Sequence, residues 1–591
     1  MRTESFHKFN PFTRSSLVAP LLTFLCGLLF ALASNADELS FLHTRGQDIV
    51  TEKGEKVLLR GVGLGNWMLP EGYMWKFGNQ ADRPRRIEKL VSDLVGADNA
   101  KRFWTEFRQN YVTEADIRRI SELGYNSVRP ALNSRLFLKE TGELDLSSEG
   151  FQLLDNLVKW CKANGIYVIF DMHGAPGGQT GQNIDDSEDD QPKLFMDAKY
   201  EEQLVNLWVA IARRYSNEPA VAGYDLLNEP LPARTGAAAK YKARLEPLYK
   251  RLTKAIREVD AKHMIIVEGF DWANDWSVFT GPFDKNLVYQ FHYYCWDNPA
   301  TVKGIGKYLD YRKRFNAPVW VGETGERDST IYWATTEYFE ADNIGWSFWP
   351  WKKMDADNGP ISVKRPTQWD AIVAYSRGGA KPSSETAQSA FDDLLKNLRL
   401  ENCVYHSTVV NSMLRKTPCR IEAENFSHNG PGVSYHVKNS TQRSKYYRTG
   451  EPVPVNVGES RRPQSSQFIT LSATEWTAYT IDSNSQQDCQ IVIMARSSGN
   501  PAQAELSIGE KTFAVALTEN AWKEIKVGVT QFNRGANRLK WLIKQGTADL
   551  DWIDIGETAK SQQSAAPIRS TTSPELGTAA ATKLKPATAV E

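Results

Sequence analysis

The most constraining feature of this 591-residue chain is a repeated alternation of short apolar segments with amphipathic helical segments. Between residues 55 and 375, eight apolar runs have the composition of buried strands, and the segments between them carry apolar residues at the helical spacing of three and four. Such alternation is typical of βα units around a parallel sheet, and eight units close into a barrel. We therefore predict an α/β fold, a (β/α)8 TIM barrel. The runs are KVLLRGVGL from Lys56, YNSVRPAL from Tyr125, IYVIFDMHG from Ile166, VAGYDLLNEP from Val221, HMIIVEG from His263, NLVYQFHYY from Asn286, PVWVGETGE from Pro318 and IGWSFWPW from Ile344.

Two insertions without a regular pattern, residues 71–100 and 174–192, follow the first and third of these strands. In barrels of this class the loops after the strands form the catalytic face. We therefore expect both insertions at the rim of a site. The second contains the acidic run DDSEDD, which we interpret as a solvated loop rather than as a metal site.

The chain changes pattern near residue 418. Short alternating strands such as QFITL, WTAYTI and QIVIMARS are separated by Gly, Asn, Ser and Pro, which is typical of a β-sandwich. A helical segment at 383–414 is expected to close the barrel before this change. The predicted regions are a signal peptide at 1–36, the barrel domain at 37–416, an all-β jelly-roll sandwich at 417–557 and a disordered tail at 558–591.

The N-terminus has the pattern of an export signal. The basic residues Arg2, Lys8 and Arg14 precede an uncharged run at 17–33, and Ser34-Asn35-Ala36 forms a small-x-small cleavage pattern. The alternative is an uncleaved membrane anchor, but the run is short for a bilayer span. We expect a secreted protein (extracellular, periplasmic or at the cell surface) with no membrane contact after cleavage.

Charge and cysteine content narrow the choice of partner. Lys plus Arg and Asp plus Glu both total 71, so no broad field favours nucleic acid, and a neutral partner fits better. The 18 Trp and 22 Tyr suit stacking on sugar rings, although buried aromatic residues would give the same count.

Five cysteines remain after removal of the signal, and their spacing is not that of a zinc site. One disulfide is possible, joining Cys419 to either Cys403 or Cys489, and the sequence does not decide between the two pairings. We expect a monomer.

Two glutamates at strand ends carry the central inference. Glu229 lies in LLNEP at the end of the fourth predicted strand, and Glu323 lies in VWVGETGE at the end of the seventh. In an eight-stranded barrel these ends face one another across the mouth. A carboxylate pair about 5–5.5 Å apart supports double displacement, in which one group attacks the anomeric carbon and the other protonates the leaving oxygen. We predict Glu323 as the nucleophile and Glu229 as the general acid/base.

Neighbouring strand ends supply residues with assignable roles. Asn228 can donate a hydrogen bond to a sugar 2-hydroxyl, and Arg129 can hold Glu323 ionised. Each of these residues alone is equally compatible with a structural role, so their shared location carries the prediction. The remaining expected substrate-binding residues are His173, His292, Tyr294, Trp349 as a stacking platform, and Glu71 at the start of the first insertion.

These strand ends resemble, in order and spacing, the pattern of glycoside hydrolase family 5 over roughly residues 37–413. The segments DMHGAPGGQTGQN and LRGVGLGNWM are similar to its exo-β-1,3-glucanase branch. The resemblance implies a retaining mechanism, no metal or other cofactor for catalysis, an acid/base Glu after Asn and a nucleophile Glu on the seventh strand. The segment LPEGYMWKF and the acidic run depart from that branch, which leaves the linkage open.

The C-terminal segment resembles carbohydrate-binding modules of family 6 through CRIEAENFS, YYRTGEPVPVNVG, TEWTAYTI and ADLDWIDIG. The resemblance implies a structural calcium site using Glu422, Glu424 and Asp551. Tyr447 or Trp476 is a candidate for stacking on glycan from an exposed position. For Trp476 and Trp552, however, we favour a place in the core.

The principal hypothesis is a β-glucan hydrolase, with β-1,3- or β-1,4-linked glucose as substrate, held near its polymer by the sandwich. The alternative among enzymes is a retaining glycosidase for another β-linked glycan or a glycolipid, since a barrel does not choose its substrate. The alternative of another class is a non-catalytic secreted carbohydrate-binding protein. The presence of both Glu229 and Glu323 with their neighbours argues against it.

Overall fold

The computed structural model describes residues 39–296, 302–444, 447–458 and 467–558. The predicted signal peptide and all but the first residue of the predicted tail lie outside the described residues. Within the described part of the chain, no helix is both long and apolar enough to cross a membrane.

Eight parallel strands form a closed barrel, as predicted. A hairpin of β1 (Leu42–Arg45) and β2 (Asp48–Thr51) precedes it. The last barrel strand pairs in parallel with both the first and the seventh, which closes the sheet. The barrel strands are β3 (Arg60–Leu64), β4 (Ser127–Asn133), β5 (Tyr167–Gly174), β6 (Val221–Asp225), β7 (Met264–Glu268), β8 (Leu287–Tyr294), β9 (Val319–Gly325) and β10 (Trp346–Trp349).

Helices surround the barrel, and their sequences show why they begin and end where they do. In α3, the side chain of Asp116 accepts from the backbone N–H of Thr113, Ile117 and Ile120 face the core, and Gly124 ends the helix at φ 97°. The helices are α1 (Pro84–Val95), α2 (Ala97–Tyr111), α3 (Glu114–Leu123), α4 (Glu149–Ala163), α5 (Ala198–Tyr215), α6 (Ala237–Tyr241), α7 (Leu245–Arg257), α8 (Gly306–Phe315), α9 (Ser329–Ala341), α10 (Trp369–Ser376), α11 (Ser384–Asn397) and α12 (Ser407–Leu414).

The first insertion is more regular than we expected. Helix α1 and the start of α2 lie within residues 71–100, and α11 packs on both of them. The segment at 383–414 is helical over α11 and α12, in agreement with its pattern. A small sheet of β11 (Lys352–Met354), β12 (Ile361–Val363) and β13 (Val404–Tyr405) joins this segment to the chain after β10.

Two antiparallel sheets follow α12 and form the predicted β-sandwich. One sheet has the order β16-β17-β24-β19-β22 with β14 also on β24, and the other has the order β15-β18-β23-β20-β21. Inward residues such as Ile493, Trp541 and Ile553 are fully buried between them. The strands are β14 (Cys419–Glu422), β15 (Tyr435–His436), β16 (Val455–Val457), β17 (Gln467–Ser472), β18 (Trp476–Ser483), β19 (Gln487–Ser497), β20 (Ala502–Ile508), β21 (Lys511–Leu517), β22 (Lys523–Phe532), β23 (Gly535–Gln545) and β24 (Thr547–Glu557).

The sandwich packs against helix α9 of the barrel. Trp333 of α9 is buried within the hydrophobic core of the sandwich, and Tyr338 contacts the His428 ring with centroids 5.3 Å apart. The five cysteines within the described residues are all free thiols, so none forms the disulfide that the sequence left open.

Candidate active site

The predicted carboxylate pair meets at the mouth of the barrel. Glu323 belongs to β9, and Glu229 lies in the loop after β6. One carboxylate oxygen from each lies within 4.8 Å of the other and of a ring nitrogen of His292. All three side chains line a cavity of about 670 Å³. Such a separation is shorter than the 6.5–9.5 Å or so that inverting glycosidases need for an intervening water.

Glu229 is held by its backbone as well as by its side chain. It adopts a left-handed conformation with φ 42°, which is unusual for a residue other than glycine. Its backbone N–H donates to Oε2 of Glu268 at 2.7 Å, and its Oε1 lies 2.6 Å from Nδ1 of His292. The turn therefore presents the carboxyl group into the cavity with one defined partner.

Glu323 has a different environment. Nη1 of Arg129 donates to its Oε1 at 2.7 Å, and the hydroxyl of Tyr294 donates to its Oε2 at 2.8 Å. Burial raises the pKa of Glu323 above its ordinary value, while His292 and Arg129 act against this rise. The two glutamates thus differ in their partners, as two different chemical roles require.

A cluster of buried acidic residues surrounds Arg129, and sequence reasoning did not identify it. The fully buried guanidinium contacts Asp225 at 2.8 Å, Glu268 at 3.0 Å and Asp171 at 3.2 Å, in addition to Glu323. Burial raises the pKa of Asp225 well above its usual range and that of Asp171 to about 8. The sequence signal that could have identified this cluster is a single charged residue inside an otherwise apolar strand, such as Asp171 in VIFDMHG.

The two predicted histidines have opposite protonation behaviour. Burial lowers the pKa of His292, but the neighbouring Glu323, Glu268 and Glu229 raise it by more. The pKa of His292 therefore lies well above its usual value. Burial lowers the pKa of His173 to about 4. His292 is therefore a cation, whereas His173 is neutral at pH 7.

Asn228 is completely buried beneath the carboxylates. Its Oδ1 accepts from Nη2 of Arg129 at 2.8 Å, and its Nδ2 lies 3.3 Å from Nε2 of His173. Because its oxygen is already engaged, the predicted contact with a sugar can come only from its amide N–H groups.

Trp349 ends β10 and forms one wall of the cavity. Its indole stacks on His173 with centroids 5.1 Å apart and an angle of 7°. A Cβ at Gly63 would lie 2.4 Å from the indole, and one at Gly65 would lie 2.5 Å from it. The glycines of LRGVGLGNW therefore provide the space in which this ring lies.

Glu71 reaches the cavity from the first insertion. It is almost fully buried, lines the cavity beside Tyr73, and its Oε1 has no hydrogen-bond partner among the described residues. Burial, with smaller contributions from Glu323 and Glu326, raises the pKa of Glu71 well above its usual range. The carboxyl group is thus available to a polar ligand in the cavity.

Only half of the acidic run in the second insertion is the solvated loop that we expected: Glu188, Asp189 and Asp190 are exposed, whereas Asp185, Asp186 and Ser187 are buried. Oδ2 of Asp185 accepts from the backbone of Thr180 and Gly181, and Asp186 pairs with Arg135. Both aspartates are buried. Asp185 therefore stabilises the loop from within, and Asp186 holds it to Arg135, which follows β4.

The three predicted calcium ligands lie in the interior of the sandwich. Glu422, Glu424 and Asp551 are all buried. Burial, then repulsion from the other two, raises the pKa of Glu422 well above its usual range, and burial raises that of Asp551 to about 7. Oδ1 of Asp551 lacks a hydrogen-bond partner among the described residues. Among the described residues, however, these three carboxylates do not form a group whose ligand atoms all lie within 4.8 Å of one another.

Among the aromatic residues of the sandwich, Trp552 is buried, as we favoured. Tyr447 is also buried and belongs to the core, so the expectation of an exposed ring was wrong. Trp476 is only half-buried, with Nζ of Lys540 4.3 Å from its ring centroid, so its assignment to the core was wrong.

The barrel with two facing carboxylates defines a glycoside hydrolase, and comparisons with known proteins agree. Residues 93–355 match the model of the family described as Cellulase (glycosyl hydrolase family 5). This part of the chain is similar to glycoside hydrolase family 5.

Two curated relatives and one solved structure illustrate the similarity. A beta-xylosidase of Phanerodontia chrysosporium is 28% identical over 366 residues, covering 56% of this chain and 74% of its own. A probable glucan 1,3-beta-glucosidase A of Neosartorya fischeri is 28% identical over 280 residues, covering 45% of this chain and 64% of its own. The crystal structure of a beta-glucanase from Saccharophagus degradans is 19% identical, covers 61% of this chain and 94% of its own, and has a TM-score of 0.38.

Proposed function

We propose that this protein hydrolyses β-glucans with retention of configuration, using Glu323 as the nucleophile and Glu229 as the acid/base. The observation that carries the proposal is the close approach of the two carboxylates, within 4.8 Å, at one cavity. Their separate partners support the assignment of roles. Arg129 and Tyr294 favour an anionic Glu323, and His292 orients Glu229.

In the first step, Glu323 attacks the anomeric carbon and forms a C–O bond as the bond to the leaving oxygen breaks. Glu229 delivers its proton to that oxygen, so the leaving group departs as a neutral alcohol. In the second step, Glu229 removes a proton from water, the water oxygen bonds to the anomeric carbon, and Glu323 leaves as a carboxylate. Two inversions give a product with the β configuration.

The remaining lining residues have roles in binding. Trp349 offers an apolar face to a pyranose ring. Asn228 is fully buried, and we expect its amide N–H groups to donate to the sugar 2-hydroxyl once substrate is bound. Glu71, with its free oxygen, accepts a hydrogen bond from another hydroxyl. A β-glucan is favoured as substrate because the relatives include the probable glucan 1,3-beta-glucosidase A of Neosartorya fischeri.

Hydrolysis of laminari- and cello-oligosaccharides followed by proton NMR tests this proposal. We expect the β-anomer of the product first, and an initial α-anomer would contradict retention. Glu323→Ala and Glu229→Ala should each lower kcat by at least about 10³-fold, whereas the exposed carboxylate variant Glu143→Ala should match wild type.

Azide distinguishes the roles of the two residues. In Glu229→Ala, azide replaces water at the glycosyl-enzyme and should give the β-glycosyl azide. In Glu323→Ala, azide attacks from the side that the nucleophile occupied and should give the α-glycosyl azide. The reverse pattern would exchange the two assignments.

We also propose that the sandwich is a module of the carbohydrate-binding type with a structural calcium site. Glu422, Glu424 and Asp551 would hold the ion, whose charge would offset their repulsion. For location, we propose export directed by residues 1–36. N-terminal sequencing of the protein secreted by its host should begin near Asp37.

A further inference from the structure

The cavity continues beyond the space that one sugar ring needs, and its far wall carries positive charge. Loops after β6, β7 and β8 contribute this wall. Its lining includes Arg234, Trp272, Asn274, Trp296 and Lys307. The opposite wall, with Trp349, His173 and Glu71, comes from β10, β5 and the chain after β3.

The wall that carries Arg234 and Lys307 lies on the side of Glu229, the proposed acid/base. Arg234 follows Glu229 in the same loop, and the backbone N–H of Asp271 donates to the carbonyls of Pro230 and Leu231. The backbone N–H of Ala233 donates to Oδ1 of Asp271. Because Glu229 protonates the leaving oxygen in the proposed mechanism, the wall built around its loop faces the leaving group.

The backbone of this wall is held in an uncommon conformation. Asp271, Trp272 and Ala273 have φ values of 54°, 60° and 68°, all left-handed and none of them glycine. Such a run costs conformational energy and persists only where surrounding contacts enforce it. Nε1 of Trp276 donates to the carbonyl of Ala273 at 3.0 Å, which is one of those contacts. The turn directs the Trp272 indole into the cavity lining.

Both cations are positioned by neutral groups. The guanidinium of Arg234 lies 4.9 Å from the centroid of the Trp272 ring and donates to Oε1 of Gln182 at 3.0 Å. Nζ of Lys307 donates to the carbonyl of Asn274 at 3.0 Å, and Oδ1 of Asn274 accepts from the hydroxyl of Tyr308 at 2.7 Å. Each cation keeps further N–H donors.

The acidic groups in the cavity do not account for these charges. In the described part of the chain, the hydrogen bonds of the Arg234 and Lys307 head groups go to Gln182 and to the carbonyl of Asn274, not to carboxylates. Glu323 instead pairs with Arg129, Glu229 with His292, and Glu326 with Lys353 at 2.8 Å. Two held cations and an aromatic face, without an acidic partner, match a ring that bears an anionic group.

We propose that the leaving-group side of the cavity selects an anionic sugar, such as a uronate or a sulfated glucose, linked to the β-glucosyl unit that is cleaved. The sugar ring packs on Trp272, and its anionic group accepts hydrogen bonds from Arg234 and Lys307. This inference rests on the proposed function, because it assigns the leaving group of the same reaction.

Three matched β-linked disaccharides test the proposal: glucosyl-glucose, glucosyl-glucuronate and glucosyl-glucose 6-sulfate, with the linkage cleaved best in the NMR experiment. For wild type at low ionic strength we expect kcat/KM to be about 3- to 10-fold higher for the anionic substrates, as two partly exposed charge contacts allow. The preference should fall in 0.5 M NaCl because salt screens exposed charges. A preference for only one anionic substrate identifies the group as carboxylate or sulfate.

The double variant Arg234→Gln/Lys307→Gln should bring the ratio of anionic to neutral kcat/KM close to one. Lys53→Gln, which removes an exposed cation from the turn after β2, should keep the wild-type ratio. A wild-type ratio of one or less, or a ratio that the double variant retains, would overturn the proposal.

A failure of the proposed function gives a different result, since no disaccharide would then be hydrolysed. Calorimetric binding of free glucuronate and glucose still tests the wall in that case. Salt-sensitive binding of glucuronate that the double variant loses supports the anionic site, and equal or absent binding of both sugars refutes it.

Discussion

Replacing Arg129 by Met should separate the structural role of this guanidinium from its effect on Glu323, the proposed nucleophile. The side chain is fully buried and contacts four carboxylates, among them Glu323 at 2.7 Å. Its removal leaves buried acids without their cation. Breaking a buried ion pair from one side costs about 3–5 kcal/mol. At about 2 °C per kcal/mol for a large domain, Tm should fall by about 6–10 °C.

The same change should alter the pH dependence of activity. An adjacent cation lowers the pKa of a carboxyl group by about 1–3 units. Without Arg129, the pKa of Glu323 rises further, so the nucleophile is protonated up to a higher pH. The acidic limb of kcat/KM should therefore move upward by about 1–3 pH units.

The assay compares Tm and the pH profile of kcat/KM in three variants. Arg129→Lys keeps a charge but loses the planar geometry, so we expect a smaller shift. Lys352→Met removes another fully buried cation, which pairs with Asp116 at 2.6 Å away from the cavity. It should lower Tm by a similar amount and leave the acidic limb in place. An Arg129→Met enzyme with an unshifted acidic limb would refute the reasoning.

Three further predictions test individual parts of the structure. Gly63→Ala places a Cβ 2.4 Å from the Trp349 indole, so it should cost about 1–3 kcal/mol of stability and lower kcat/KM at least about 10-fold. Gly556→Ala, whose Cβ has no atom within 4 Å, should change neither quantity. Equal behaviour of the two variants would contradict the packing argument. The pKa of His173 is about 4 in the folded state and near 6.5 in the unfolded state, so between these values the unfolded state binds more protons and stability falls as the pH falls. In His173→Gln the difference in Tm between pH 7 and pH 5 should therefore shrink. An unchanged difference would argue against a buried neutral histidine. Calcium at 100 times its Kd should stabilise the sandwich by about 2.7 kcal/mol. Asp551→Asn should weaken this effect, and a chelator should reverse it. A Tm that calcium does not change would exclude the site.

Much of the barrel could be read from the chain because its signals are local. Seven of the eight barrel strands fall within a run selected for apolar composition and length, and β4 extends one residue beyond its run, to Asn133. The ends of parallel strands must converge once the sheet closes. Glu229 and Glu323 could be paired for this reason alone. The sandwich was predictable in the same way, from alternating burial along strands such as β18 and β19.

Other features depend on contacts between distant segments, which periodicity does not report. Asp171, Asp225 and Glu268 come from three different strands, and only the closed barrel shows that they share one guanidinium. Likewise, Tyr447 is buried because of the strands that cover it. The positive charge on the far wall of the cavity combines residues from separate loops, whose conformations are set by packing at the mouth. Local sequence specifies the elements and their ends, whereas burial, pKa and charge balance are properties of the assembled structure.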